Sequence, residues 1–397
     1  MLEVRKSLPP SRRASTHDRD AVVRVILLAW ALAHVGPVSA TPAVAQPSVQ
    51  PVDESPADNQ PRAYYYDPDG MGAHAFYNPQ NFMVQGALGA MYDESVDTFE
   101  WGPGVATLNR SLASPIDAVN DYGWSRFFYR EFVPHLGEGQ NYAPNWIWHF
   151  AGGGMRTKLM LEYYTAHGFE LPALWAWLTM YSYHYVNEAV QAARFAEQRR
   201  STIDPIADMY FFDWAGGLLF QLDAVNRVMG GTLHMREWSY QAQFDPFTRQ
   251  LLNNGQLYWL RVHVAGPISL SFLTGEQISS VNVTYGWSGG RQLSVGAGPK
   301  SKTFIARPNG DTDPVPIIFS TGIFYSVNDN PLVTFTYDPR ARSRQFDFDG
   351  RYLLNVYPGP IRWFDYPMGI TLAYQEQSVL AGFTFGVLPA SPVASTP

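Results

Sequence analysis

Seven polar side chains stand at helical spacing in segments that are otherwise apolar and aromatic: Asn145 and His149, His184 and Glu188, and Asp204, Asp208 and Asp213. Residues four apart share one face of an α-helix, so each of three helices would carry one polar stripe. Buried charges must be paired, and stripes brought together could do one of three things. They could satisfy one another in a hydrogen-bonded network that fixes helix register, which is what a His and a Glu on a helix face most often do. They could support acyl transfer, with His149 as general base, Asp204 or Asp208 orienting its second nitrogen and Ser201 as nucleophile, although no G-x-S-x-G elbow surrounds Ser201. Alternatively, His149, His184, Glu188 and Asp208 could hold zinc or iron, because imidazole with carboxylate suits both. Neither H-E-x-x-H nor a paired E-x-x-H occurs, so the sequence assigns no metal and no cofactor. The candidate catalytic residues are then His149, Glu188, Asp204 and Asp208, and the candidate ligand-binding residues are Asn145, His184 and Ser201.

The elements that would position these residues are helices. Ser114-Pro115-Ile116-Asp117 combines an N-cap, a first-turn proline and a first-turn acid, and predicts a helix to about Leu136. Further helices are expected over 144–167, 172–200 and 204–229, each closed by glycine or by basic residues in its last turn. Gly152, Gly153 and Gly154, and again Gly216 and Gly217, would let another helix approach closely. Ser182, His184 and Asn187 interrupt the apolar run of the third helix, which falls short of a membrane span. Upstream, 63–112 is aromatic and glycine-rich and reads as irregular structure plus one strand over 82–92.

After Leu257 the hydrophobic period changes from helical to two. Short alternating segments over 257–264, 268–273, 280–287, 292–298, 317–327, 332–338, 351–357, 370–375 and 379–388 are separated by Gly, Pro, Asn or Asp clusters. The expected fold class is α+β: a bundle of about four helices (113–231) packed with an antiparallel meander (257–388), read as a small eight-stranded β-barrel with a tail over 389–397. Tyr258, Trp259, Tyr285, Trp287, Tyr325, Tyr337, Tyr357, Trp363 and Tyr374 fall near strand ends, where an interfacial girdle would put them. A soluble sandwich with an aromatic core fits the same pattern.

Residues 1–45 read as a signal peptide, with Arg and Lys ahead of a short apolar stretch from Val25 to Val35 and an A-x-A cleavage spacing at Ala43 and Ala45. A flexible linker rich in Pro, Gln and Ser follows over 46–62. The leader carries six basic and three acidic residues, so the exported chain would hold 22 basic against 32 acidic residues. With that balance and no dense Lys/Arg stripe, no nucleic-acid partner is expected. The absence of cysteine excludes disulfides, thiolate metal sites and cysteine nucleophiles.

The run N-W-I-W-H-F-A-G-G at 145–153, E-A-V at 188–190 and R-S-T-I-D-P-I-A-D at 200–208 with G-G at 216–217 resembles a pattern in uncharacterised bacterial envelope families, some of them similar to VanZ-type membrane proteins. For Asn145, His149, Glu188, Ser201 and Asp204 the resemblance implies a shared helix-packing network and a candidate site, with no assigned reaction. Two expectations stand together. One is a non-enzymatic outer-membrane protein that meets membrane lipid or a small hydrophobic ligand. The other is an envelope hydrolase or acyltransferase directed at lipid, with the periplasm as the alternative compartment.

Overall fold

The computed structural model describes residues 63–68, 70–89, 99–134, 145–194, 203–247, 249–275, 278–301, 317–339, 341–342, 347–348, 350–364, 366–375, 378–386 and 391–395. The expected signal peptide and linker, together with Ser201, lie outside them.

The chain is α+β. Its helical part contains α1 (Pro79–Phe82), α2 (Trp101–Ala113), α3 (Pro115–Tyr122), α4 (Trp124–Glu131), α5 (Gly154–Ala166), α6 (Pro172–Arg194), α7 (Asp204–Ala207), α8 (Asp213–Leu219) and α9 (Asp223–Asn226). These are more and shorter helices than the four expected. The fourth expected helix is divided because the backbone widens into π-helical turns over Asp208–Phe212 and Arg227–Thr232. A third such stretch, Asn145–Gly153, runs straight into α5.

Helix α2 falls in the segment expected to be irregular. Pro103 stands in its first turn, where proline is tolerated. Gly104 is needed because a Cβ there would lie 2.4 Å from the Ala193 backbone of α6. The strand expected over 82–92 is instead helical at Phe82 and π-helical over Met83–Ala87, where Gly86 leaves room for the Tyr183 ring. Met155, Leu159, Met160, Tyr164, Met180, Tyr183 and Phe220 form the core between α5, α6 and α8. Among the described residues no helix is long and apolar enough to cross a membrane.

The strands are β1 (Arg236–Glu237), β2 (Gln243–Asp245), β3 (Gln250–Leu252), β4 (Leu257–Ala265), β5 (Ile268–Gly275), β6 (Ser279–Gly286), β7 (Arg291–Ser301), β8 (Ile317–Val327), β9 (Asn330–Asp338), β10 (Ala341–Arg342), β11 (Asp347–Phe348), β12 (Arg351–Trp363), β13 (Tyr366–Gln375), β14 (Ser378–Phe385) and β15 (Ser391–Ser395). Thirteen of them form one sheet in the order β1-β4-β5-β6-β7-β8-β9-β12-β13-β14-β15-β2-β3. Pairing is antiparallel except between β15 and β2. Strands β4 to β14 are the expected meander, and the Asn328–Asp329 turn shows its hairpin chemistry: both residues take positive φ, which Asn and Asp tolerate.

The sheet is not closed into the expected eight-stranded barrel. The reason is the segment after the helices, which takes both outer positions. Its start, β1, lies on β4, and Trp238 continues that pairing by exchanging backbone hydrogen bonds with Leu257. Its continuation, β2 and β3, lies beyond β15 instead. Between the two, Gln241 donates to the backbone oxygens of Val356 (3.0 Å) and Ile370 (3.2 Å), and Asn253 donates to Asn355 (2.8 Å). The segment therefore occupies the inner face of the sheet.

That inner face is buried and largely polar, apart from an apolar cluster of Trp238, Leu257, Trp259, Leu273, Ile278 and Phe324. Ser271 pairs with Thr284 (2.6 Å), Thr284 with Ser294 (2.7 Å), and Thr371 donates to Asn355 (3.1 Å). Lys300 donates to Asp338 at 2.6 Å. The alternate residues of the same strands, among them Phe272, Val281, Val283, Val295, Phe319, Ile323, Leu372 and Phe383, are apolar and exposed. The alternation inferred from the sequence is present, with its apolar side outward.

One buried cation ties the two halves together. Arg156 of α5 donates to Glu237 of β1 (3.0 Å) and to the Tyr183 hydroxyl (2.7 Å), and its guanidinium lies 4.6 Å from the centre of the Tyr258 ring on β4. At the rim where the turns are short, Asp329 accepts from Arg261 and pairs with His234 at 3.1 Å. At that same rim Asn81 donates to Gly386 at 2.7 Å.

Candidate functional site

Three chain segments bring the polar stripes together: the π-helical turns Asn145–Gly153, helix α6, and the run from Asp204 to Asp213. Glycines make the approach possible. A Cβ on Gly216 would lie 2.1 Å from the Phe150 oxygen, one on Gly154 would lie 2.6 Å from the Gly216 oxygen, and Gly153 faces His184 and Asp213. Of the close helix approaches expected at 152–154 and 216–217, those at Gly154 and Gly216 are made, whereas Gly152 faces the Tyr258 ring of β4 and Gly217 the Trp177 ring.

His149 sits between two carboxylates. Its Nδ1 is 3.2 Å from Asp213 Oδ1, and its Nε2 is 3.5 Å from Asp208 Oδ2. The other oxygen of Asp213 meets Nδ1 of His184, so one carboxylate bridges two imidazoles. Glu188 completes the group: one ligand atom each from His149, Glu188 and Asp208 fall within 4.8 Å of one another, as do those of His149, His184 and Asp213.

Asn145 is drawn elsewhere. It donates to Glu131 Oε2 at 3.0 Å and to the Glu131 backbone oxygen at 3.1 Å. Arg130 places Nε 3.0 Å from the other Glu131 oxygen. Asp204 hydrogen-bonds Glu131 rather than His149. Asn145 and His149 share one π-helical stretch, yet Asn145 is held by Glu131, while Asp208 and Asp213, at the start and just past the end of another, both reach the same imidazole.

The electrostatics follow from burial and crowding. Burial would raise Asp213, but His184 and His149 facing it hold it below the ordinary carboxylate value. Burial pushes His184 down by more than Asp213 raises it. Asp208 is pushed well above the carboxylate range, first by burial and then by Asp204, Glu188, Asp213 and Glu131. Glu131 is pushed up to about 9 by burial and by Asp204, against the lowering effect of Arg130.

A pH dependence follows. The folded value of Glu131 lies above the unfolded one, so folding keeps a proton that the unfolded chain releases. Its contribution is present below about pH 4.5 and is lost as pH rises toward about 9. Glu131→Gln should flatten the decline in stability between pH 5 and pH 9, read as urea midpoints at several pH values. An equally steep decline in the variant would contradict this environment for Glu131.

The structure thus gathers four of the candidate residues, His149, His184, Glu188 and Asp208, and places Asn145 and Asp204 in an adjoining cluster. Of the acyl-transfer arrangement, Asp208 rather than Asp204 faces His149, and Ser201 lies outside the described residues. Sequence reasoning set Asp213 in a polar stripe but gave it no role, although it contacts both imidazoles. It missed Glu131 and Arg130, which no spacing marks. A scan against protein-family models, a search of curated proteins and a search of solved structures each found no match.

Proposed function

We propose that this is an exported protein of the bacterial outer membrane, non-enzymatic, whose strand region meets lipid through its outward face and whose helical unit packs at the short-turn rim. The observation that carries this reading is the inverted sheet. A water-soluble sheet buries its apolar side and exposes its polar side, whereas here serine, threonine and asparagine are buried and valine, isoleucine and phenylalanine are exposed over β5 to β14. That is the pattern a strand needs when hydrocarbon surrounds it.

Three further features agree. Tyr285, Trp287 and Tyr325 cluster at one rim, and Tyr337, Tyr352 and Tyr374 at the other, as two aromatic girdles would. Part of each outer edge is paired: β1 lies on Tyr258 and Trp259 of β4, and β15 on Leu380, Ala381 and Gly382 of β14, which supplies backbone partners there without water. The turns at 266–267 and 328–329 are short, and the opposite rim carries the long connection 302–316. In outer-membrane proteins the short turns face the periplasm, and on this reading the helical unit lies on that side. Trp146, Phe211, Trp214 and Leu218 are exposed on the helices behind the polar cluster and suit contact with lipid or a small hydrophobic ligand.

The envelope-enzyme reading, a hydrolase or acyltransferase acting on lipid, has one observation of its own in the His149 imidazole held between two carboxylates. His149→Ala with folding intact separates the two readings, because only an enzyme loses turnover. The location is tested by fractionating cells and comparing heated with unheated gel mobility. A band in the outer membrane whose mobility changes on heating is expected. A soluble periplasmic band with unchanged mobility would overturn the reading.

A further inference from the structure

We propose that His149 Nε2, Glu188 and Asp208 bind a divalent transition-metal ion of the zinc class, with Asp213 as the outer carboxylate that orients His149 and His184. The inference is independent of where the protein resides. It begins with a distance. Asp208 Oδ2 lies 3.5 Å from His149 Nε2, outside the usual hydrogen-bond range of about 2.7–3.2 Å. Metal bonds of about 2.0–2.2 Å in a tetrahedral arrangement set neighbouring ligand atoms about 3.4 Å apart. The gap therefore has the size of a coordination edge.

Proton accounting points the same way. Asp213 faces Nδ1 of His149 at 3.2 Å and also faces Nδ1 of His184. A carboxylate there accepts an N–H from each ring, which leaves the lone pair of His149 on Nε2, turned toward Asp208. This is the carboxylate–histidine–metal arrangement, in which an outer carboxylate fixes the tautomer and raises the basicity of the ligand nitrogen.

A second observation concerns groups left without partners. Asp208 is almost fully buried, and its Oδ1 has no hydrogen-bond partner. That oxygen belongs to the same carboxyl group that faces His149, so it borders the same space. His184 Nε2 is also buried without a partner. Buried polar atoms in a purely structural network are normally satisfied. The charge balance agrees as well: Asp204, Glu188, Asp213 and Glu131 all act on buried Asp208, and a divalent cation would offset that excess. The sequence offered His149, Glu188 and Asp208, with His184, as possible metal ligands but assigned no metal, because they come from three separate segments and no local motif joins them.

The test uses untagged, full-length protein in detergent, stripped with a chelator and titrated with Co²⁺ and then Zn²⁺. Expected are one ion per chain, a visible cobalt absorption band that zinc displaces, and a rise in thermal midpoint. Glu188→Gln and Asp208→Asn preserve side-chain size and should each weaken binding at least tenfold, and Asp213→Asn by 10- to 100-fold, as outer-shell losses do. Should a variant fail to fold, the wild-type titration decides: folded wild-type protein with no cobalt band and no bound zinc overturns the proposal. Stoichiometric binding unchanged in folded Glu188→Gln and Asp208→Asn also overturns it.

Discussion

Arg156→Ala is expected to destabilise the folded protein by about 3–5 kcal/mol, the usual cost of breaking a buried ion pair from one side. Arg156 and Glu237 are each about 97% shielded from solvent or more, so removing the guanidinium leaves a carboxylate in the interior with Ser239 as its remaining side-chain donor. The loss would also remove the cation from above the Tyr258 ring and a donor from the Tyr183 hydroxyl. Because this pair joins α5 to β1, its failure should loosen the helical unit from the sheet. Pairing Arg156→Met with Glu237→Gln should recover part of the loss, since the orphaned charge is then gone. Urea unfolding of the single and double variants measures this. A single-variant cost under about 1 kcal/mol would contradict the pair's role at the junction.

Val283→Arg is expected to cost about 2–4 kcal/mol, the penalty for a cation facing hydrocarbon near the middle of a strand. Val283 is 56% exposed, in the centre of β6. At an ordinary water-facing position the same substitution would change stability by no more than about 0.5 kcal/mol. The comparison is sharp because one structure predicts opposite outcomes for two solvents. Refolding into lipid vesicles and unfolding in denaturant gives the value. A near-neutral result would mean that water, or a protein surface, covers this face.

The residues explain which features could be read from the chain alone. Strand positions were legible because period-two alternation survives in either solvent: the segment expected over 317–327 is β8 at Ile317–Val327, and that over 257–264 is β4 at Leu257–Ala265. The helix expected over 144–167 spans Asn145–Ala166, stopped before Gly168. The course of the sheet's two ends was not legible. Arg236–Leu252 is too short and irregular in its pattern to announce that it pairs with β4 at one end and lies beside β15 at the other.

The site was legible in its residue types and only partly in its geometry. Three polar stripes were visible, and His149, His184, Glu188 and Asp208 do meet. The grouping by fours did not give the partners, because these are set by neighbouring segments: Asn145 goes to Glu131 of α4, and Asp213, outside the 204/208 pair, reaches His149. Glu131 ends a short helix, α4, whose sequence carries no sign of burial, and only the fold shows it to be interior.

The central claim is that the outward face of the sheet lies against lipid, and one measurement tests it directly. The chain contains no cysteine, so single cysteines introduced at Val283, Val295 and Leu372 can carry an environment-sensitive fluorophore without background labelling. Asp117 on α3, which is exposed, provides the control on the helical unit. In vesicles containing brominated lipid, the three sheet positions should be quenched by the lipid and shielded from iodide in the buffer, with Asp117 the reverse. Iodide quenching at Val283, Val295 and Leu372, without quenching by brominated lipid, would contradict the account.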